Sequence, residues 1–436
     1  MRHGLRILFV LLLIATPAAA QTGHFLSAAG ATDYSVAGAS TAMPLDASGA
    51  LYWNPASLSG LSRSELDLGF LTVFPKTQLA STVAPGAFGP GIPPIPLGGT
   101  SDAKRTSIVT PDFAIAVRPA KSRWAYGVAV AGVAGFGVDY ASSASNPVTT
   151  PPPPRGLGFG RIYSEYRLWQ VTPAFAFRVT ENFSVGVAPL LLVGSLAATP
   201  LPFGRPDDAN HDGFPTYPSA TEKQNSIGGG VQAGLYYGAP KGVHVGAAFK
   251  SRQVFKPFEM QATDEVGQPR TVTTNIDAPM VVSVGLGYSG AERFAIAADV
   301  RYVDYANTAG FKDAHFDATG ALNGLGWDRM IVTAIGGQYA PSRIVSLRGG
   351  YSYNTNPIPA ANTFVNAASP AINQHTLYGG LSIHVSGRAV LSGTYGHGFE
   401  TSVSGPIVTP LGAVPGTSVT STLSTNAGAV GLRLLF

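Results

Sequence analysis

The residues whose type and spacing suggest chemistry most directly lie in one polar stretch. Asp208, Asn210 and Asp212 occupy alternate positions and Gly213 follows them. This pattern matches the start of a calcium-binding loop, in which carboxylate and amide oxygens coordinate the ion. The twelfth position of such a loop requires a bidentate Glu, but here it is Ser219. The stretch predicts a weak divalent-cation site, with an ordinary polar loop as the simpler interpretation.

Other catalytic or cofactor chemistry finds no support in the residue pattern. His244, His384 and His397 fall on separate predicted strands without the spacing of zinc ligands. The Gly-rich run at 285–290 spells a dinucleotide-binding pattern, but no helix follows it, and a strand ending in a tight turn explains it. The chain has no cysteine, which excludes disulfides, thiolate metal sites and a lipid-anchored N-terminus. We therefore expect that the protein is not an enzyme and binds no cofactor.

The composition is unlike that of a soluble protein. Only 12% of the 436 residues are charged, against about 25% in typical soluble domains. Glycine (53 residues), proline (34) and aromatic side chains are common, and no long apolar run follows the first twenty residues. This combination is typical of a membrane β-barrel. The net charge of +4, without a basic run, argues against a nucleic-acid partner.

The first twenty residues have the three parts of a secretory signal peptide. Arg2 and Arg6 form a basic start, the apolar stretch 5–15 follows, and the small residues 18–20 precede a cleavage site before Gln21. An apolar run of roughly ten residues is too short to span a membrane, which needs about 20. Residues 1–20 are therefore predicted to be removed after export.

From Ser64 to the last residue the apolar period is two, as in strands with one apolar face. Six short turns alternate with seven long, Pro-rich or polar connections, the first of them predicted at 75–106, and this predicts fourteen strands. Such alternation indicates an outer-membrane β-barrel, because these barrels have tight periplasmic turns and long outer loops. The barrel is predicted to cover residues 63–436. Its last strand ends in Phe436, which resembles the C-terminal signal that the barrel assembly machinery binds.

The stretch 21–62 lacks the strand pattern and is rich in Gly, Ala and Ser. A barrel of this size has an open lumen unless something fills it. The stretch also carries Leu51, Tyr52 and Trp53, whereas disordered tails are usually poor in aromatic residues. It is therefore predicted to form a plug, or hatch, inside the barrel.

Two separate stretches resemble one known family. DASGALYWNPASL at 46–58 resembles the N-terminal hatch of FadL-type outer-membrane transporters, and LRGGYSYNTNPIP at 347–359 resembles a late strand and loop of the same family. The resemblance implies passive uptake of long-chain fatty acids, aromatic hydrocarbons or related hydrophobic molecules across the bacterial outer membrane. It also implies that Asn54, Pro55 and Ala56 belong to a gating hatch.

The resemblance further implies a route in three steps: capture among outer loops, a pocket beside the hatch, and release into the membrane lipid through a kinked third strand. The third strand is predicted at about 123–140, and its candidate kink is Gly135, Phe136 and Gly137, although glycine is frequent in all strands of this chain. Pro-rich loops can also serve simply as spacers. The candidate capture residues are the apolar side chains Phe88, Ile92, Leu201, Phe203 and Phe214.

A carboxylate ligand would need a cationic partner in the lumen. Strand parity points Lys250, Arg252, Arg301 and Arg348 inward, so these are the candidate head-group contacts. The alternative is that they pair with carboxylates of the protein, such as Asp299. For the whole chain, the alternatives are a general porin or structural barrel and an outer-membrane lipase, which would need a facing Ser–His pair.

Overall fold

The computed structural model describes residues 23–104, 107–239, 242–291 and 293–436. The predicted signal peptide at 1–20 lies outside these ranges and stays a prediction. Among the described residues, no helix is both long enough and apolar enough to cross a membrane.

A closed antiparallel barrel makes up most of the described chain. Its sheet contains sixteen strands, of which Leu97–Asp102 and Val254–Phe255 are short additions outside the barrel ring. The remaining fourteen confirm the predicted number, and the first of them pairs with both the second and the last. In chain order they are β1 (Glu65–Val83), β2 (Ile108–Val117), β3 (Trp124–Tyr140), β4 (Ile162–Arg178), β5 (Phe183–Thr199), β6 (Ala220–Gly238), β7 (Gly242–Lys250), β8 (Val281–Ala291), β9 (Phe294–Val303), β10 (Met330–Tyr339), β11 (Val345–Asn354), β12 (His375–His384), β13 (Ala389–Gly405) and β14 (Thr417–Leu435).

The strands expose apolar side chains and bury polar ones, the reverse of a soluble protein. In β9, Ile296 and Val300 are exposed, whereas Asp299 and Arg301 are buried. Because adjacent side chains of a strand point to opposite faces, the exposed face meets lipid and the polar face lines the lumen. The alternation in the sequence therefore corresponds to the two faces of the barrel wall.

The connections alternate in length as predicted, but several strand ends differ from the predicted ones. The first long connection was predicted to begin at Pro75, whereas β1 continues to Val83. Around Pro75, β1 pairs only with β14, because β2 pairs up to Val73 and the added strand Leu97–Asp102 starts at Gln78. Proline lacks an N–H, so it is tolerated where one edge of the strand is unpaired.

Residues 23–61 lie inside the barrel. They form α1 (Gly30–Ser35), α2 (Ala47–Trp53) and a 3₁₀ helix (Pro55–Gly60), and nearly all their side chains are buried. Asp46 caps α2, since its carboxylate accepts a hydrogen bond from Gly49 N at 2.8 Å.

Glycines of the wall allow this inner segment to approach the strands closely. A methyl group on Gly234 of β6 would overlap Asn54 Oδ1, and one on Gly186 of β5 would overlap the Ala56 backbone. Further glycines of this kind lie on β7, β8, β10, β11 and β12: Gly246, Gly285, Gly336, Gly350 and Gly380. The segment is thus packed against most of the circumference of the lumen.

Candidate functional site: the lumen, its N-terminal segment and the loop cavity

Asn54 ties the N-terminal segment to the barrel wall. The side chain is fully buried. Its Nδ2 donates to Thr41 O at 2.8 Å and to Leu235 O of β6 at 3.0 Å, and its Oδ1 accepts from Ala56 N at 3.1 Å. Pro55 occupies the first turn of the 3₁₀ helix, where a missing N–H has no consequence. The predicted Asn54-Pro55-Ala56 motif is therefore an anchor for the segment in this structure.

The barrel wall has a gap between β2 and β3. These strands pair only from Asp112 to Val117 of β2, although β2 stays paired with β1 up to Ile108. The register of β3 against β4 shifts between Gly132 and Ala134. The irregularity lies just before the predicted kink at Gly135, Phe136 and Gly137, which pair regularly with β4.

Residues 24–26 cover the edge of β3 that β2 does not pair with. Gly135 N donates to His24 O at 2.7 Å, and Leu26 N donates to Val133 O at 2.9 Å. Phe25 lies opposite Ala134 in an antiparallel bridge. Leu26 also lines a cavity of about 20 Å³ between the two strands, together with Ile108, Val109, Gly132 and Ala134. The N-terminal segment therefore closes this gap from inside.

His24 is held in an aromatic cage. Its ring stacks on Phe25 at 4.6 Å and on Phe311 at 4.9 Å between centroids, and lies edge-on to Trp327. His24 Nδ1 and the Tyr305 hydroxyl are 2.8 Å apart, within hydrogen-bonding distance. Burial lowers the pKa of His24 from 6.5 to about 3, so the ring is neutral at physiological pH. Burial also raises the pKa of Tyr305 well above 10.

Two of the four predicted head-group residues meet beside α2. Lys250 Nζ lies 4.5 Å from the Tyr52 ring centroid and 6.0 Å from that of Trp53. The Arg301 guanidinium carbon lies 3.5 Å from the Trp53 centroid. Arg301 also forms an ion pair with Asp299 at 2.7 Å. This is the pairing with a protein carboxylate that the sequence left open as the alternative to a ligand contact. Within the described residues, Lys250 Nζ has neither a hydrogen bond nor an ion pair, so cation–π contacts are its compensation.

The other two predicted cations lie elsewhere. Arg348 donates to Gln338 Oε1 at 2.7 Å and to Ser382 Oγ at 2.6 Å. Arg252 is exposed and donates to Asn307 O at 3.1 Å. The four residues therefore do not form one site, because parity predicts the inward direction but not the height along the lumen.

A second cavity lies among the long loops. It measures about 260 Å³ and its lining is mostly apolar. Of the predicted capture residues, Phe88 lines it. Ile92 and Phe214 are exposed away from it, and Leu201 and Phe203 pack against the central apolar cluster. Five residues from four other loop regions, which sequence reasoning missed, also line it: Phe159, Phe316, Leu322, Phe364 and Ile407. Their signal was only that they are apolar residues in long connections.

The polar stretch at 208–213 satisfies its own oxygens. Asp208 accepts from Asp212 N at 2.9 Å and from Gly213 N at 3.0 Å, while Asn210 Oδ1 also accepts from Asp212 N. No group of three or more His, Asp or Glu residues in the described chain is arranged to hold a metal ion. The stretch folds as a hydrogen-bonded loop.

One Ser–His contact lies beside a cavity of about 450 Å³, lined by both polar and apolar residues, at the short-turn end of the lumen. His244 Nε2 is 2.7 Å from Ser289 Oγ, but its Nδ1 faces the Tyr236 hydroxyl at 3.0 Å. A hydrolase uses a carboxylate at that position to orient the histidine as a base. The contact therefore lacks the third member of a hydrolytic triad.

Comparisons with known proteins agree with this architecture. The family model described as "Outer membrane protein transport protein (OMPP1/FadL/TodX)" matches residues 10–368. Among solved structures, the Pseudomonas putida toluene transporter TodX is similar, with a TM-score of 0.70, 17% identity, and 94% of this chain and 99% of that chain covered. The Ralstonia pickettii toluene transporter TbuX gives 0.67, 16%, 94% and 99%. A Pseudomonas aeruginosa FadL homologue gives 0.66, 14%, 97% and 99%.

No sequence among the curated proteins matches the chain significantly. At these identities the structures show a shared fold, and the family model shows the relationship. The chain therefore belongs to the OMPP1/FadL/TodX family, whose members are transport proteins of the bacterial outer membrane rather than enzymes.

Proposed function

We propose that this protein carries hydrophobic molecules passively across the outer membrane, with the N-terminal segment as the hatch that opens and closes the route. The closure of the gap between β2 and β3 by His24–Leu26 is the observation on which the proposal rests. A segment that pairs with a wall strand through only a few backbone bonds can detach without unfolding the barrel, because β3 keeps its pairing with β4.

The route begins at the loop cavity and ends at the gap. Apolar side chains line the cavity at the loop end, and a continuous buried apolar cluster connects the loop residue Leu322 with Phe25 and Val133 at the gap. Carrying an apolar chain on into periplasmic water would cost about 0.8 kcal/mol per CH₂ group. Release sideways into lipid avoids this cost, so a lateral exit suits an apolar substrate.

The substrate class follows from Lys250. A buried ammonium group with only aromatic partners favours an anionic ligand group, since a carboxylate would supply the missing ion pair. We therefore propose hydrophobic acids, such as long-chain fatty acids, in preference to the neutral aromatic compound named for TodX and TbuX. Arg301 is engaged by Asp299 and serves the hatch instead.

A disulfide lock tests the gate, and the absence of native cysteine makes the experiment clean. Residues 25 and 134 form a non-hydrogen-bonded antiparallel pair, in which side chains lie closest. The double variant F25C/A134C should assemble normally, lose uptake of labelled fatty acid in proteoliposomes when oxidised, and recover it on reduction.

The matched control is S59C/S184C, which joins the hatch to β5 where the two hydroxyls are already 2.6 Å apart. Oxidation of this control should leave uptake unchanged. Equal uptake by oxidised and reduced F25C/A134C would refute the lateral gate.

The alternative function is a general porin, which would favour short polar solutes. Flux through a porin should fall as the substrate lengthens, whereas flux through a transporter of hydrophobic molecules should rise.

A further inference from the structure

The two ends of the barrel differ strongly in charge. Exposed basic residues surround the short-turn end: Arg63, Lys121, Arg123, Arg293, Arg343 and Arg388. In the described short turns the acidic counterpart is Glu181 alone. The opposite end carries many carboxylates, including Asp139 at the end of β3 and Asp207 and Asp264 in the long connections. The charge of the short-turn end is therefore a feature of that surface and not of the whole protein, whose net charge is only +4.

These basic residues border the lipid-facing wall. Arg123 precedes Trp124 and Arg293 precedes Phe294, and both aromatic side chains are exposed. Tyr126, Tyr237, Tyr288 and Tyr339 extend the exposed aromatic residues around the same end. Rings of aromatic residues mark the membrane–water interface of outer-membrane barrels. The cations next to them therefore lie at the height of the lipid head groups.

We infer that this basic rim binds anionic phospholipids of the leaflet that faces the short-turn end. Lys or Arg near a membrane surface contributes about 1 kcal/mol each toward anionic lipid, which corresponds to about fivefold in binding. None of the six side chains has an ion pair with another described residue, so their charges remain available to a lipid phosphate. An acidic periplasmic protein would need no aromatic residues beside the cations, and the aromatic border favours lipid.

Native mass spectrometry of the full protein in detergent with phosphatidylglycerol or phosphatidylcholine tests the inference. The wild type should retain more phosphatidylglycerol, and the preference should fall as salt rises. In the variant R123Q/R293Q/R343Q/R388Q, the preference for phosphatidylglycerol over phosphatidylcholine should fall at least tenfold. The control R155Q/R205Q/K256Q/R329Q removes the same charge from exposed residues at the long-loop end and should keep it.

Equal retention of the two lipids by the wild type would overturn the inference, as would an equal loss of preference in both variants. The salt titration of the wild type decides the case if the rim variant fails to assemble: a preference that high salt leaves unchanged is not electrostatic. Binding of acidic proteins by a wild type that does not discriminate between the lipids would assign the rim to a protein partner and overturn the lipid assignment.

Discussion

The Asn54 anchor gives the most quantitative test of the hatch. Replacing Asn54 by Ala removes its hydrogen bonds to Thr41 O, Leu235 O and Ala56 N. Each bond contributes about 1 kcal/mol net, and each buried group left without a partner costs about 1–3 kcal/mol. We expect the free energy of local opening of the hatch to fall by about 3 kcal/mol, which raises the open population about a hundredfold.

Hydrogen exchange of the purified protein, read by mass spectrometry, measures this opening in peptides from 41–60. N54A should speed exchange there about a hundredfold and raise fatty-acid flux, while the barrel remains assembled. G234A places a methyl group against Asn54 from the barrel wall and should also speed exchange. G379A adds its methyl group to open space and should leave exchange unchanged.

Asn146 provides a matched control. It is also a fully buried Asn whose Nδ2 donates to Leu79 O at 2.8 Å and to Ser101 Oγ at 3.0 Å, but it lies in an outer loop. N146A should loosen that loop and leave exchange at 41–60 unchanged. Hatch exchange that rises less than threefold in N54A would refute the anchor. Loss of barrel assembly in N54A would show that the motif acts in folding. Fast exchange with unchanged flux would show that opening of the hatch does not control transport.

Three further outcomes follow from the site. Because burial lowers the pKa of His24 from 6.5 to about 3, its contribution to hatch stability is full above pH 6.5 and is lost as the pH falls toward 3. Hydrogen exchange of residues 23–27, corrected for the pH dependence of the intrinsic exchange rate, should therefore rise on acidification. H24Q should make this exchange less dependent on pH. F159A should raise the substrate concentration for half-maximal uptake about tenfold by removing apolar lining, and F214A, outside the cavity, should not. K250M should reduce uptake of a fatty acid about tenfold relative to the matched alkane, and R252Q should not; equal loss for both substrates would contradict the carboxylate assignment.

Local alternation carried the prediction of the barrel. Whether a side chain faces lipid or lumen depends on its position modulo two, so Ile296 and Asp299 reveal their faces without any distant partner. Turn residues mark where each strand ends, so the strand number also follows from neighbours in sequence. The N-terminal stretch stood out for the same reason, since it lacks this alternation. Strand ends were predicted less accurately, as at Pro75, where the pairing of neighbouring strands determines how far β1 extends.

The site depended on contacts that no local pattern contains. Asn54 bonds to Leu235, 181 residues away, and Leu26 pairs with Val133 where β2 and β3 separate. Lys250 and Arg252 look equivalent by parity, yet one is buried over Tyr52 and the other is exposed. Such differences arise from the register of fourteen strands and from where the inner segment lies against them, which one-residue alternation does not encode. Amino-acid order alone thus predicted a barrel and a distinct N-terminal segment, and the closed fold determined which residues of that segment contact the wall.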